Sequence, residues 1–162
     1  MLAVSDTTPI NYLLHIRGGH SLAKLFDEVV IPGKVGRELV KPGGPLTDIA
    51  RIGFPERVEG VRLVEEKLRS PTDASDLKRL DDGEREAILL AEKLNVDIVL
   101  MDEREGRNVA KGHGLQPKGT LGILDEAGRE GVVDVPEMVE ELRETNFHAS
   151  PELYEWLLAR HR

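Results

Sequence analysis

Four acids in this chain stand where carboxylates do chemistry in proteins that alternate strands and helices. Asp6 follows the apolar run "LAVS" and Asp102 follows "DIVLM"; Glu84 lies in the first turn of "LDDGEREAILLAEKL", and Glu38 sits in "GKVGRELV". At roughly 100° per residue, Ala87, Ile88, Leu90, Ala91 and Leu94 gather around Glu84, while Arg85, Glu86, Glu92 and Lys93 take the other side. A carboxylate on the apolar side of a helix is costly unless a partner neutralises it or satisfies its oxygens. Carboxylates crowded together raise one another's pKa, so a cluster either keeps protons or takes up cations. The donor types select a hard ion: magnesium accepts oxygen ligands and retains water, whereas zinc favours His and Cys. The chain has no cysteine. None of His15, His20, His113, His148 and His161 forms an i, i+4 ligand pair, and they read as ordinary surface or core residues. One or two Mg²⁺ or Mn²⁺ ions held by aspartates and glutamates can activate a water and stabilise an in-line displacement at phosphorus.

Each acid also has an ordinary explanation. Asp81 and Glu84 fit a D-x-x-E capping box, which accounts for Glu84 through helix-end hydrogen bonds alone. Asp6 and Asp102 suit turns before helices, where the helix dipole favours an acid. Glu38 is the weakest of the four, because short surface helices commonly carry a glutamate. Their joint placement says more than any one position.

The elements that must position these acids follow from the pattern. "LAVSD" predicts a strand and "TTPINYLLHI" a helix, with Thr8 as N-cap and Pro9 at the first helical position. "SLAKLF" continues or restarts that helix. "EVVIP" is a second strand ended by Pro32, followed by the short helix "GKVGRELV", the loop "KPGGPL", a short helix near "TDIARIG" and the strand-like "VEGVRLVE". A helix from about Glu84 to Leu94 precedes "DIVLM", whose unbroken apolarity suits a parallel strand covered on both faces. "EREGRNVAKGHG" is a helix with a glycine stop, "LQPK" a short strand, and "TLGILDEAGREG" a helix capped by Thr120 and closed by a glycine. "PEMVEELRET" and "SPELYEWLLARHR" each begin with proline at a helix start. In the latter, Leu153, Trp156 and Leu157 share one side, which packs on the domain by default. The alternation predicts an α/β fold, with a mainly parallel sheet and helices on both faces. Sites in such sheets form beyond the carboxyl ends of the strands, where the winding reverses. Asp6 and Asp102 both belong at that edge.

A length of 162 residues predicts a single domain, 1–162, with C-terminal helices over about 136–161 packed on it. Without cysteine there are no disulfides, which fits a reducing cytosol. "MLAVSDTTPINYLL" has no basic leader, and no apolar run approaches the ~18 residues of a membrane span. The expectation is a soluble, cytoplasmic protein with no membrane partner. The formal net charge of -8 is regional, since Asp125 to Glu155 holds ten acids and two bases and the remainder balances at twenty each. Phosphate affinity comes from Lys and Arg, so a nucleic-acid surface belongs on the neutral part. The acidic segment is ordinarily a solvated helix surface.

"VSDTTP", "VVIPGKVGREL", "LDDGEREAILLA", "DIVLMDEREGR" and "GLQPKGTLGIL", taken in order, resemble the successive motifs of PIN-domain proteins, and more narrowly their VapC-like branch. The resemblance covers most of the chain, including the tail "FHASPELYEWLL". It implies a three-layer α/β/α sandwich with a parallel sheet and a metal-dependent ribonuclease centre hydrolysing single-stranded RNA. Carried over residue by residue, it makes Asp6, Glu38, Glu84 and Asp102 the catalytic acids, with Thr8 as the hydroxyl beside Asp6. Asp6 and Asp102 would be the main ligands of Mg²⁺ or Mn²⁺, and Glu84, with Glu38, would hold a metal-bound water or a second ion. Many relatives carry a further Asp or Asn beyond the last acid. This chain offers only Glu103 and Glu105 there, which leaves a second metal site without its usual ligand. Arg104 and Arg107 are placed to meet phosphate, the ordinary alternative for at least one being an ion pair with a neighbouring glutamate. As partners the resemblance implies RNA, a small antitoxin protein holding a toxin, and a second copy in a homodimer.

Rival readings are a PIN-like scaffold that binds nucleic acid or protein without cleaving, and a receiver-type phosphoacceptor. The receiver needs adjacent acids after the first strand and a lysine after the last; "SDTT" supplies one acid, and Lys118 is the candidate lysine. A D-x-D phosphatase fails at Thr8.

Overall fold

The computed structural model describes residues 1–41, 58–69 and 75–162. Five short strands form one sheet: β1 (Leu2–Ser5), β2 (Glu28–Pro32), β3 (Val61–Val64), β4 (Ile98–Leu100) and β5 (Gln116–Lys118). Their order is β3-β2-β1-β4-β5 and every pairing is parallel. The chain thus winds outward from β1 through β2 to β3, then returns to the other side of β1 for β4 and β5. The reversal lies between β1 and β4, whose registers pair Ser5 with Leu100.

Successive strand residues point to opposite faces, and each face has its own core. Ala3, Val29, Ile31, Ile98 and Leu100 pack with α1 (Thr7–His15), α2 (His20–Leu25), α3 (Gly33–Leu39), α6 (Thr120–Arg129), α7 (Val135–Arg143) and α8 (Pro151–Ala159). Val4, Val30 and Val99 pack with α4 (Asp82–Lys93) and α5 (Arg104–Gly112). The result is the expected α/β/α sandwich. Among the described residues no helix is long and apolar enough to cross a membrane.

Several boundaries differ from the sequence reading for local reasons. α1 begins at Thr7 with Asp6 in the N-cap position, so Pro9 occupies the third helical position rather than the first. The first amides of a helix lack internal acceptors, so proline's missing N–H is tolerated throughout that turn. Likewise Gly119, not Thr120, is the N-cap of α6. The glycine stops are present: Gly114 after α5 and Gly131 after α6 have φ of +77° and +70°, a conformation that side chains disfavour. The loop beyond Lys41 and the helix expected near "TDIARIG" lie outside the described residues.

Two polar clamps hold the framework. His113 places Nε2 2.8 Å from Asp76 and Nδ1 2.5 Å from Glu92, tying the turn that enters α4 to α4 itself and to the end of α5. At the C-terminus, buried Asp125 accepts from Arg160 at 2.9 and 3.2 Å and lies 2.9 Å from His161, fastening α8 to α6. Those bonds, Arg160's first, hold the Asp125 carboxyl below its ordinary pKa. On α8 the buried residues are Tyr154 and Leu157, whereas Leu153 and Trp156 remain 43% and 46% exposed. Domain packing therefore accounts for Leu157 but not for its two neighbours.

Leu100 is fully buried at the central reversal. Leu100→Ala is expected to cost about 2–5 kcal/mol and Leu153→Ala less than about 0.5 kcal/mol, both measured by urea unfolding.

Candidate active site

Asp6 leaves β1 at the reversal, with its backbone amide donating to the Leu100 carbonyl at 2.9 Å. That bond ties the carboxyl ends of β1 and β4 together, and Asp102 follows β4 two residues later. Asp6 is 4% exposed. Burial, together with the charges of Asp81, Glu84 and Glu38, pushes its carboxyl up to about 8, against the Thr7 amide, which favours ionisation.

Glu38 reaches the same place from α3 and accepts from the Thr7 hydroxyl at 2.5 Å. The two carboxylates meet over Gly83 in the first turn of α4. A Cβ at Gly83 would stand 2.9 Å from Asp6 Oδ1 and 3.0 Å from Glu38 Oε2, so these oxygens lie within about 6 Å of each other. Glycine at this position is what allows the positive end of the α4 dipole to approach both acids. Thr7 and Gly83 are neighbours of these acids that the sequence reading did not single out. The signal was present in "DTT" and "DGE", where a hydroxyl and a glycine flank the acids.

Glu84 is 6% exposed, on the inward side as the wheel required. Its amide donates to Asp81 Oδ1 at 2.8 Å, so Asp81 is the N-cap of α4 and supplies its half of the capping box. The cap leaves the charge of Glu84 unanswered: burial, then the charges of Asp81 and Glu103, raises its carboxyl to about 7. Its oxygens press toward α5, where a Cβ on Gly106 would lie 3.4 Å from Oε2. The wheel was less accurate for Glu86, which is half-buried and accepts from the Lys34 amide at 3.2 Å, bracing α4 against α3.

Asp102 is turned toward α6. It accepts from the Thr120 amide and hydroxyl, both at 2.7 Å. Burial raises its pKa; the Thr120 bonds and Arg107 oppose that, and Glu103 adds to it. Thr120 is thus not the cap but the partner of the acid that caps its helix. Asp102 also lies against Gly119, where a Cβ would be 2.9 Å from Oδ1 and 3.7 Å from Arg107 Nη1.

The remaining candidates divide. Arg104 and Arg107 flank the Asp102 end of an open groove, and neither makes an ion pair among the described residues, contrary to the helix-surface alternative. Thr8 lines the same groove and makes no hydrogen bond to Asp6. Because the helix starts one residue earlier than expected, Thr7 takes the inward position. Glu105 is exposed and 3.7 Å from Arg79, on a separate hollow with Asn108, and so stands apart from the acids. Lys118 pairs with Glu126 rather than with Asp6, which removes the receiver-type arrangement.

Among the described residues no three His, Cys, Asp or Glu side chains form a ready-made metal shell. Asp6 and Glu38 converge, Glu84 leans toward Gly106, and Asp102 is engaged by Thr120. The donors nevertheless fit a hard divalent cation. All are carboxylate oxygens, two of them converge, and burial beside other acids raises the pKa of Asp6 and Glu84, which have no cationic partner among the described residues. Magnesium needs only one or two carboxylates, since it keeps several waters.

Comparison with known proteins bears on the fold and the family. The structure is similar to a PilT N-terminus domain protein, SSO1118, from the hyperthermophilic archaeon Sulfolobus solfataricus P2, with a TM-score of 0.50 at 20% identity, covering 93% of this chain and 100% of that one. At that identity the likeness speaks for the fold alone. No curated protein matches. The family model described as a PIN domain, DUF3368, matches residues 2–162. PIN domains are generally nucleases and generally use divalent metal ions. Matched over nearly its whole length, the chain belongs to the PIN-domain family.

Proposed function

We propose that the protein is a Mg²⁺- or Mn²⁺-dependent ribonuclease that hydrolyses phosphodiester bonds of single-stranded RNA. The supporting observation is the meeting of Asp6 and Glu38 over Gly83, beside buried Glu84, at the sheet's reversal, with no cation among their side-chain partners in the described residues. In this reading Asp6, Glu84 and Asp102 would hold the metal, and Glu38 would position the attacking water. A bound divalent ion lowers the pKa of water and offsets charge on the phosphate. The chain's own part is positional. Thr7 orients Glu38 by its 2.5 Å hydrogen bond, Thr120 fixes the rotamer of Asp102, and Arg104 and Arg107 meet the phosphate at the Asp102 end. No covalent intermediate is required. The toxin role, held by a small antitoxin, is an extension of the same reading.

Asp6→Asn should keep the fold, seen by circular dichroism, and lower Mn²⁺-dependent cleavage of labelled RNA at least about 100-fold. Growth arrest on expression, if the protein is a toxin, should vanish with it. Metal binding without cleavage in the wild type would favour the scaffold reading instead.

The pH dependence of stability follows from the sign of the Asp6 shift. Between its ordinary pKa of 3.8 and about 8, the folded chain keeps a proton that the unfolded chain has lost. The folded state binds more protons in that window, so this contribution falls as pH rises and levels off above about 8. Without divalent ions, the difference in Tm between wild type and Asp6→Asn should therefore move against the wild type from pH 5 to 8. Mn²⁺ should raise the wild-type Tm most at the alkaline end, and a pH-independent difference would contradict the assignment.

A further inference from the structure

We propose that the groove between Asp102 and α8 is a base-stacking subsite, in which Trp156 receives a nucleobase of an RNA strand whose phosphate lies against Arg104 and Arg107. The proposal rests on the ribonuclease reading and adds to it the path of the strand. The groove encloses about 590 Å³ and runs without interruption from Asp102 and the two arginines to Phe147 and Trp156. That size suits more than a single small group.

Its far wall is built for a flat ligand. Trp156 and Leu153 line it at 46% and 43% exposure, and it is adjoining exposed apolar side chains, not single ones, that mark interaction sites. The indole is held in place: the Arg160 guanidinium lies 4.9 Å from its centroid, and Arg160 is itself fixed by its two bonds to buried Asp125. Tyr12 and Phe147 form an edge-to-face pair on the same groove, with centroids 4.9 Å apart, and Tyr12 Oη donates to Asn146 at 2.7 Å. The floor includes Gly122, where an added Cβ would meet no atom within 4 Å.

Charge decides the occupant. Lys118 and Arg129 are engaged by Glu126 and Asp125, whereas Arg104 and Arg107 have no acidic partner among the described residues and adjoin the site's own carboxylate. Arg104 and Arg107 beside Asp102 at one end and aromatic rings at the other are the sequence of groups that a single strand, alternating phosphate and base, complements. Stacking on aromatic faces tolerates any base, so the subsite binds strands with little sequence preference.

Trp156 is the chain's one tryptophan, so its fluorescence reports this position alone. Titrating Asp6→Asn protein, which leaves the strand intact, with a short oligouridylate should give saturable quenching. Trp156→Ala should weaken binding about ten-fold or more by fluorescence anisotropy, and Trp156→Phe should restore most of it. Gly122→Leu should abolish binding-induced quenching at unchanged Tm, because its side chain occupies the floor. Binding of the oligonucleotide with unaltered fluorescence and no loss in Trp156→Ala would overturn the subsite, while RNA cleavage by the wild type would still support the ribonuclease reading. Quenching in a protein whose wild type never cleaves RNA would uphold the subsite and remove the nuclease. Fluorescence that changes with protein concentration alone, alongside dimerisation and no RNA binding, would assign the groove to a second copy and overturn the proposal.

Discussion

The site depends on one constraint: the chain must reverse its winding beside its first strand. β1 sits in the middle of the sheet, so β2 and β3 fill one side and the chain returns to fill the other. The crevice at the carboxyl ends of β1 and β4 is a product of that order, because the connections leave in opposite directions. The bond from the Asp6 amide to the Leu100 carbonyl fixes its width. α3 and α4 then contribute acids from outside the sheet. Gly83 is the point at which the end of β1, the last turn of α3 and the first turn of α4 come close enough for those charges to act on one another.

Two kinds of inward-facing acid coexist in this fold, and the contrast separates architecture from chemistry. Asp125 is surrounded by Arg160, His161 and Arg129, and its carboxyl is held in the ionised form as a fastener for α8. Asp6 and Glu84 are as deeply placed and have other acids for neighbours. A group kept at such a disadvantage is tolerated where the strain serves function. Asp102 lies between these extremes, since Thr120 satisfies both its oxygens while Arg107 tempers its charge.

The layers and the strand edge were legible because they are written in local patterns. Unbroken apolar runs marked β2 and β4, and the phase of Ala87, Ile88, Leu90 and Ala91 correctly turned Glu84 inward. What the pattern cannot carry is the relation between side chains far apart in sequence. Thr7 and Thr8 are equivalent on paper; only the start of α1 at Thr7, directly after its N-cap Asp6, decides which hydroxyl meets Glu38. Thr120 looked like a cap because its partner, Asp102, lies eighteen residues away in the chain. Glu105 was drawn in by proximity to Asp102, yet one helical step sends it to Arg79. Leu153 and Trp156 have the spacing of core residues and are left exposed, since burial depends on what lies opposite.

The short last strand has a further effect. Gln116 donates to the Asp97 carbonyl and Lys118 accepts from the Met101 amide, so the residue between them, Pro117, faces the free margin of the sheet. Proline has no N–H to present there. The rim of β5 therefore makes a poor template for an added strand, and cross-β growth is blunted on that side by a single ring.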